Sequence, residues 1–283
     1  MKSSEYEIRV MKRTDLDTAV QWAANEGWNP GLYDADCFYQ TDPNGFFMGF
    51  KNDQPVSSIS AVSYGADFGF IGFYIVKKEF RGKGHGLQIW NKALQYLGTQ
   101  NIGLDGVVEQ QGNYKKSGFK LAYNNVRYQF NGSRFNLSDP TIKSVEEVLV
   151  DQLNDYDSRF FPVDRKQFLS CWVKQPESTT FVSLVDSRIQ GYGMIRKCRD
   201  GYKIGPLFAD SLAVANNIFQ KLSNSVEEKS PIFLDIPEVN QDAIELVNQH
   251  QMEKVFATAR MYTKEFPKLP INNIFGVTTF ELG

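Results

Sequence analysis

The sequence predicts a mixed α/β (α+β) protein of two tandem domains, each a twisted mixed β-sheet flanked by helices. Three observations carry that prediction. Short runs rich in β-branched and aromatic residues alternate with segments of helical periodicity. Aromatic residues make up 14% of the 283 positions, mainly 22 Phe and 13 Tyr, a composition suited to broad apolar sheet faces. The order of elements in the first half returns in degenerate form in the second, and 283 residues are room enough for two domains of ordinary size.

Tyr6 to Met11 alternate and are predicted as a strand. Thr14 or Asp15 is placed to cap a helix through Leu16, Ala19, Val20 and Ala23. Gly27-Trp28-Asn29-Pro30-Gly31 ends it, because Gly and Pro flank a point where a helix cannot continue. A short helix is expected around Asp34 to Phe38. Phe46 to Phe50, Val56 to Ser63 and Phe68 to Val76 follow as three strands, punctuated by Asn52-Asp53 and Gly65. Leu87, Trp90, Leu94 and Leu97 are spaced three, four and three apart, one apolar stripe on a helix that Gly98 stops. Gly103 to Val108 is another strand, Tyr114 lies on a short helix or turn, and Phe119 to Phe130 supplies one or two closing strands.

Asn131-Gly132-Ser133 followed by Asp139-Pro140 reads as a linker, dividing the chain into 1–131 and 132–283. Beyond it Phe181 to Val185, Ile189 to Ile195 and Tyr202 to Ile204 are predicted strands. Leu212, Ala215, Ile218, Phe219 and Leu222 lie along one helix. Ile232 to Ile236 is a strand, Ile244 and Val247 sit on a helix, and Val255 to Phe266 closes the sheet.

Composition excludes several classes of function. A net charge of −2 without long runs of one sign offers no footprint for nucleic acid or an anionic membrane. Met1 to Glu5 lack the apolar stretch of a signal peptide, and nowhere do about eighteen apolar residues run together as a membrane span requires. Cys37, Cys171 and Cys198 are widely spaced and odd in number, and are expected to be free thiols of a reducing, cytoplasmic compartment. With two His and no paired Cys motif, no metal site is expected. Neither His85 nor His250 sits in the context of a Ser-His-Asp or Cys-His hydrolase.

Arg81-Gly82-Lys83-Gly84-His85-Gly86, between a strand and an amphipathic helix, is an arrangement that can hold phosphate. Glycines let the backbone turn and approach a ligand, and the amides at a helix start face negative charge favourably. Arg81 and Lys83 add cationic donors. On those six residues alone, a phosphate cradle and a plain glycine-rich turn with solvated charges are both compatible. Neither the nucleotide-triphosphate loop nor the dinucleotide glycine spacing fits.

Val76, Arg81-Gly82-Lys83-Gly84-His85-Gly86 and the downstream Tyr114-Lys115-Lys116-Ser117-Gly118-Phe119 together resemble the GNAT acetyltransferases. In that family a bulged strand ends shortly before an Arg/Gln-x-x-Gly-x-Gly/Ala loop, and a Tyr-x-x-x-Gly-Phe motif follows. The resemblance covers about residues 6 to 130. Trp28-Asn29-Pro30-Gly31 and Asp42-Pro43-x-Gly45-Phe46 further resemble a paired-domain subgroup. The resemblance implies acetyl-CoA as co-substrate, its pyrophosphate on the amides of Arg81, Gly82, Lys83, Gly84, His85, Gly86 and Leu87. Its pantetheine would pair with the strand edge at Tyr74, Ile75 and Val76. Tyr114 falls where the family's general acid protonates the leaving thiolate. Where the family often has Asn, this chain has Val107, so Gln110, Gln111 or Asn113 would have to make that contact. No general base is assigned; Asp67 and Glu109 are the candidates. Trp28, Asn29, Asp34 and Asp36 are the candidates for the acceptor pocket.

In the second half, Asn240-x-x-Ala243-x-x-x-Val247 follows the family pattern with Val247 where Tyr would stand, and Gly205-Pro206-Leu207-Phe208-Ala209-Asp210-Ser211 occupies the loop position without a cation. Asp210 would cap the helix and repel phosphate. The resemblance therefore implies a degenerate GNAT-like half that serves as scaffold or pocket wall. Arg196, Lys197 and Arg199 are either a steering cluster for an anionic substrate or a solvated edge. The expected activity is transfer of acetyl from acetyl-CoA to a primary amine of a small molecule or peptide. The rival is a non-catalytic acyl-CoA sensor or interaction module.

Overall fold

The described residues are 6–283 of a computed structural model; the Met1 to Glu5 segment read above for a signal peptide lies outside them. The first half runs β1 (Tyr6–Val10), α1 (Arg13–Asn25), α2 (Asp34–Thr41), β2 (Phe46–Lys51), β3 (Gln54–Ser63), β4 (Phe68–Val76), α3 (His85–Leu97), β5 (Asn101–Val107), α4 (Gln111–Lys116) and β6 (Lys120–Asn131). The second runs β7 (Ile142–Ser144), α5 (Val150–Asp157), α6 (Lys166–Trp172), β8 (Ser178–Val185), β9 (Arg188–Lys197) and β10 (Tyr202–Ala209). It continues through α7 (Leu212–Asn224), β11 (Pro231–Pro237), α8 (Gln241–Gln249), β12 (Glu253–Tyr262) and β13 (Ile274–Gly276).

All thirteen strands belong to one sheet, ordered β1-β2-β3-β4-β5-β12-β6-β11-β10-β9-β8-β7, with β13 against β10. The closing strands are exchanged. β12 of the second half lies between β5 and β6, and β6 of the first half pairs with β11. Among the described residues only β4–β5 and β10–β11 pair in parallel.

Alternation along the strands divides the first half's core. Phe46, Met48, Phe68 and Phe70 pack under α1 and α2, whereas Phe47, Ile59, Ala61, Ile71 and Leu104 pack under α3. Phe161, Phe168, Trp172, Met194 and Leu282 of the second half complete the α1–α2 core, so the first half does not close its own.

Several sequence expectations need correction. Helix α1 starts at Arg13, and Asp15 accepts the Lys12 amide at 2.8 Å from inside the first turn rather than from the cap position. The buried stripe of α3 is Ile89, Trp90, Ala93 and Leu97, while Leu87 is 63% exposed. Helices α5 and α6 were not anticipated; their seven or eight residues each are too short for periodicity to show. Ser211, not Asp210, caps α7, and Asp210 accepts from the Tyr156 hydroxyl at 2.9 Å.

The free-thiol expectation is also overturned. Cys37 of α2 and Cys171 of α6 form a disulfide with Cα atoms 5.4 Å apart, across 134 residues of sequence, and only Cys198 is free, buried. Chain unfolded without reductant should titrate with one thiol, and with three after reduction; three thiols before reduction would remove the disulfide.

Ion pairs bind the halves further. Four Arg–Asp pairs among the described residues are sealed from solvent, and three of them cross between halves: Arg127–Asp235, Arg260–Asp105 and Arg196–Asp34. The first two are counterparts. Each exchanged strand carries an Arg that reaches an Asp of the other half, Asp235 in Leu234-Asp235-Ile236 of β11 and Asp105 in Leu104-Asp105-Gly106 of β5. An acid in the middle of an apolar strand demands such a partner.

Candidate active site

The cleft begins where β4 and β5 part. Their parallel pairing runs from Phe68–Asn101 to Ile71–Leu104 and then stops. Immediately beyond, two residues of β4, Phe73 and Tyr74, oppose the single Ile59 of β3, a β-bulge with Phe73 at φ +47° and its carbonyl accepting from the Ser58 hydroxyl at 2.9 Å. The extra residue reverses the strand's parity. Phe73 and Ile75 therefore face the same core as Phe68 and Phe70, and Tyr74 turns to the α3 side. The Lys77 amide donates to the Val56 carbonyl at 3.0 Å, so the alternation of an antiparallel ladder points the Val76 and Tyr74 amides away from β3, into the opening.

A 3-10 turn at Lys78–Phe80 leads into the glycine loop, where Gly82 and Gly84 have φ of +74° and +82°, a region that side chains resist. Gly84 is the N-cap of α3. Intrahelical bonding begins only with the Gln88 amide on the Gly84 carbonyl. The six amides from Gly82 to Leu87 consequently have no acceptor among the described residues. That of Arg81 is excluded from this set, since it donates to the Lys78 carbonyl at 3.3 Å. Gly86 brings the helix onto β4; a Cβ there would lie 2.7 Å from the Tyr74 Oη.

Below the loop lies a cavity of about 640 Å³. Tyr74, Ile75, Val76, Arg81, Gly82, Gly84, Gly86, Leu87 and Tyr114 all line it, so the strand edge, the loop and the tyrosine named from sequence converge on one space. Lys83 and His85 turn their side chains elsewhere. The Lys83 ammonium donates to the Glu79 carbonyl at 2.7 Å, and the His85 ring stacks on Tyr6 with centroids 4.4 Å apart. Arg81 spans the mouth, donating to the Val76 carbonyl and to Glu26, both at 2.8 Å. Asn113 lies outside the cavity and donates to Gln110, the one of the three candidates Gln110, Gln111 and Asn113 that lines it.

Tyr114 is held on α4 with its ring against Gly106, where a Cβ would come within 2.1 Å, and beside Trp90 at 5.6 Å between centroids. Burial, with Tyr74 nearby, pushes its hydroxyl up to about 12. The phenol therefore stays protonated well above neutral pH. Of the two base candidates, Glu109 lines the cavity, while Asp67 is exposed at the far end of β4.

Of the acceptor-pocket candidates, only Trp28 reaches the cavity. The other three hold structure. Asn29, at φ +50°, exchanges two hydrogen bonds with the Asp200 backbone across the halves. Asp34 accepts from the Gly31 amide and is sealed in the pair with Arg196, so Arg196 steers nothing. Asp36 pairs with Arg13 at 2.6 Å and edges a separate recess beside the disulfide. The Trp28 and Asn29 carbonyls accept from Arg127 and Lys203. Trp28-Asn29-Pro30-Gly31 is thus a docking loop between the halves.

Sequence reading missed Phe256, Thr258, Phe280 and Glu281, which line the inner end of the cavity from the second half. No local signal marks them, because β12, exchanged into the first half's sheet, carries Phe256 and Thr258 there and the segment after β13 carries Phe280 and Glu281.

The second half repeats the cleft and then closes it. β10 and β11 pair in parallel from Tyr202–Ile232 to Ile204–Leu234 and diverge, and β10 has its own irregularity between Ile204 and Leu207. β13 fills the opening, pairing with β10 at Leu207–Gly276 and Phe208–Ile274, while the Val277 amide donates to the Asp235 carbonyl at 2.8 Å. Asn240 caps α8, and Val247 is wholly buried where the first half has Tyr114.

A bulged strand splayed from its parallel neighbour, a glycine loop opening a helix, and the repetition of both define a tandem acyltransferase of the GNAT class. The chain belongs to the GNAT acetyltransferase family: residues 13–119 match the Acetyltransferase (GNAT) family and residues 153–276 an Acetyltransferase (GNAT) domain. Holothin acyltransferase from Pseudoalteromonas sp. (strain SANK 73390) is 30% identical over 263 residues, 93% of this chain and 90% of that protein. A solved structure from Pyrococcus horikoshii with an acetyltransferase assignment superposes at a TM-score of 0.85 and 23% identity, covering 100% of this chain and 98% of the other. A tandem GNAT protein from the clavulanic acid biosynthesis pathway superposes at 0.62 and 12% identity, over 91% and 98% of the two chains. Among the described residues no helix is long and apolar enough to cross a membrane.

Proposed function

We propose that this GNAT acyltransferase moves an acetyl group from acetyl-CoA to a primary amine of a small molecule. The observation that carries the reading is the run of six unbonded amides from Gly82 to Leu87 above the cavity that Tyr114 lines. Such a run favours a diphosphate, and the Tyr74 and Val76 amides offer an added strand its hydrogen bonds. In this reading the attacking amine forms its bond to the thioester carbon, the Val76 amide holds the developing oxyanion, and Tyr114 gives its proton to the departing sulfur. The resemblance to a holothin acyltransferase supports a small acceptor over a protein lysine. Residues 1–131 hold the acyl-CoA cleft, and 132–283, whose own cleft β13 fills, supply the scaffold and the inner wall. The acyl-CoA supply favours a cytoplasmic location, against which the Cys37–Cys171 disulfide stands.

Titration with acetyl-CoA should raise the melting temperature saturably, a ligand at 100 times its dissociation constant adding about 2.7 kcal/mol. Thiol release should then appear with at least one member of a panel of primary amines. Binding without transfer across the panel would leave the sensor reading; no binding would remove both. Gly84→Asp places a carboxylate at the helix start in a left-handed conformation. It should cost about 1–2 kcal/mol of stability and weaken acetyl-CoA by more than about tenfold, as isothermal titration would show. Undiminished affinity would remove the loop from the site.

A further inference from the structure

We propose that Glu281, carried into the cleft by the segment that follows β13, holds the acceptor amine and receives its proton. The inference rests on the acyl-transfer reading and adds to it an acceptor site built by the second half. After Val277 the chain leaves the second half and enters the first. Leu282 is buried in the first half's aromatic core, and the Tyr64 hydroxyl donates to its carbonyl at 3.0 Å. The Glu281 backbone lies so close to β4 that a Cβ on Gly72 would meet the Glu281 carbonyl oxygen at 2.1 Å. Gly72 directly precedes the bulge and directly follows the last β4–β5 pair. The segment therefore stands at the inner end of the opening, opposite the end at which the glycine loop lies.

The Glu281 side chain is 3% exposed and lines the cavity. One carboxylate oxygen accepts from the Thr279 hydroxyl, which in turn accepts the Glu281 amide at 3.1 Å, so the side chain is fixed rather than free. The other oxygen has no donor among the described residues. Of the cavity's other charged groups, Glu26 holds Arg81 and Asp105 holds Arg260 at its mouth and wall, while Glu109, between β5 and α4, is exposed to solvent where Glu281 is sealed. Near enough to feel the Glu281 charge are Arg127 and Arg196, each paired with an Asp, and Lys203, which donates to the Asn29 carbonyl. A buried anion with cations nearby and open on one oxygen suits a cationic or hydrogen-bonding amine. Phe280, Phe256, Trp28 and Phe73 make the adjoining walls apolar. The acceptor class is a compact amine on an apolar or unsaturated body without a carboxylate of its own, since a second anion would face Glu281.

The step balances for an amine that is neutral when it attacks, an arriving ammonium first giving one proton to solvent. The amine nitrogen bonds to the acetyl carbon, the carbon–sulfur bond breaks, sulfur takes the Tyr114 proton, and the nitrogen's proton passes to Glu281; solvent then returns one proton to Tyr114 and removes one from Glu281.

Tryptamine and tryptophan share ring and amine and differ by a carboxylate, which makes them the probes. Wild type with acetyl-CoA should show kcat/KM for tryptamine at least about tenfold above tryptophan. Glu281→Gln should lower kcat/KM by about a hundredfold with acetyl-CoA affinity within about twofold, and Glu281→Asp should recover about tenfold of that loss. Glu281→Gln within about threefold of wild type, or tryptophan preferred, overturns the inference alone. Loss of acetyl-CoA binding in both variants marks Glu281 as structural and also overturns it. Wild type that binds acetyl-CoA but acetylates neither probe nor any other primary amine sinks the acyl-transfer reading and this inference together.

Discussion

Tyr114→Phe should lower turnover by about a hundredfold or more while leaving the dissociation constant for acetyl-CoA within about twofold. The substitution removes one oxygen and keeps the ring that packs on Gly106 and Trp90, so the wall of the cavity survives. What the proposed reaction would lose is a proton placed beside the leaving sulfur. Coenzyme A leaves as a thiolate whose acid has a pKa near about 8.5 if it behaves like cysteine, and a neutral thiol is the better leaving group. The tyrosine is suited to the task because burial holds its hydroxyl at about 12. The sign of the pH dependence follows. A raised pKa keeps the acid form populated as pH climbs, so the wild-type rate should show no descending limb from Tyr114 until pH approaches about 12. Steady-state kinetics from pH 7 to 10 decide it. A limb falling through pH 9 that the Phe variant lacks would put the hydroxyl in a wetter setting than its burial implies.

The largest expected change in stability comes from Asp235→Ala. Arg127 and Asp235 lie 2.6 and 2.8 Å apart at their two contacts and are 3% and 1% exposed. Removing the carboxylate leaves a guanidinium buried without a counter-charge, for which about 3–5 kcal/mol is the usual loss. Arg127 cannot simply relax outward, because its remaining donor holds the Trp28 carbonyl in the docking loop. Since β6 and β11 come from different halves, the loss should appear as one shifted transition in guanidinium rather than as early melting of one half. Adding Arg127→Leu to Asp235→Ala should restore much of the stability, because an apolar replacement removes the unpaired charge. A change under about 1 kcal/mol for Asp235→Ala alone would mean that water reaches the pair.

How legible this molecule was depended on distance along the chain. β4, the glycine loop, α3 and Tyr114 fall within residues 68–119, and each announces itself through neighbours: alternation, positive-φ glycines, an apolar stripe, an aromatic placed at the end of β5. The resemblance then tied them to one chemistry. The inner half of the cavity was illegible for the opposite reason. Phe256, Thr258, Phe280 and Glu281 arrive through exchange of β6 and β12 and the course of the chain after β13, and no local pattern encodes which sheet a closing strand joins. Asp34 shows how a polar residue misleads: an acid near a cleft reads as a ligand for an amine until its buried partner, 162 residues away, is seen. The cysteines mislead in the same way, since spacing along the chain says nothing of the 5.4 Å between Cys37 and Cys171. Asp105 and Asp235 were the missed signal, acids in matching apolar strands, each waiting for an arginine from the other half.

A structure of the protein with coenzyme A tests the central claim most directly. The account predicts the diphosphate on the amides between Gly82 and Leu87, the pantetheine along Tyr74 to Val76, and the sulfur within hydrogen-bonding reach of the Tyr114 hydroxyl. Coenzyme A seated outside the space between β4 and β5, or with its sulfur far from Tyr114, would contradict it.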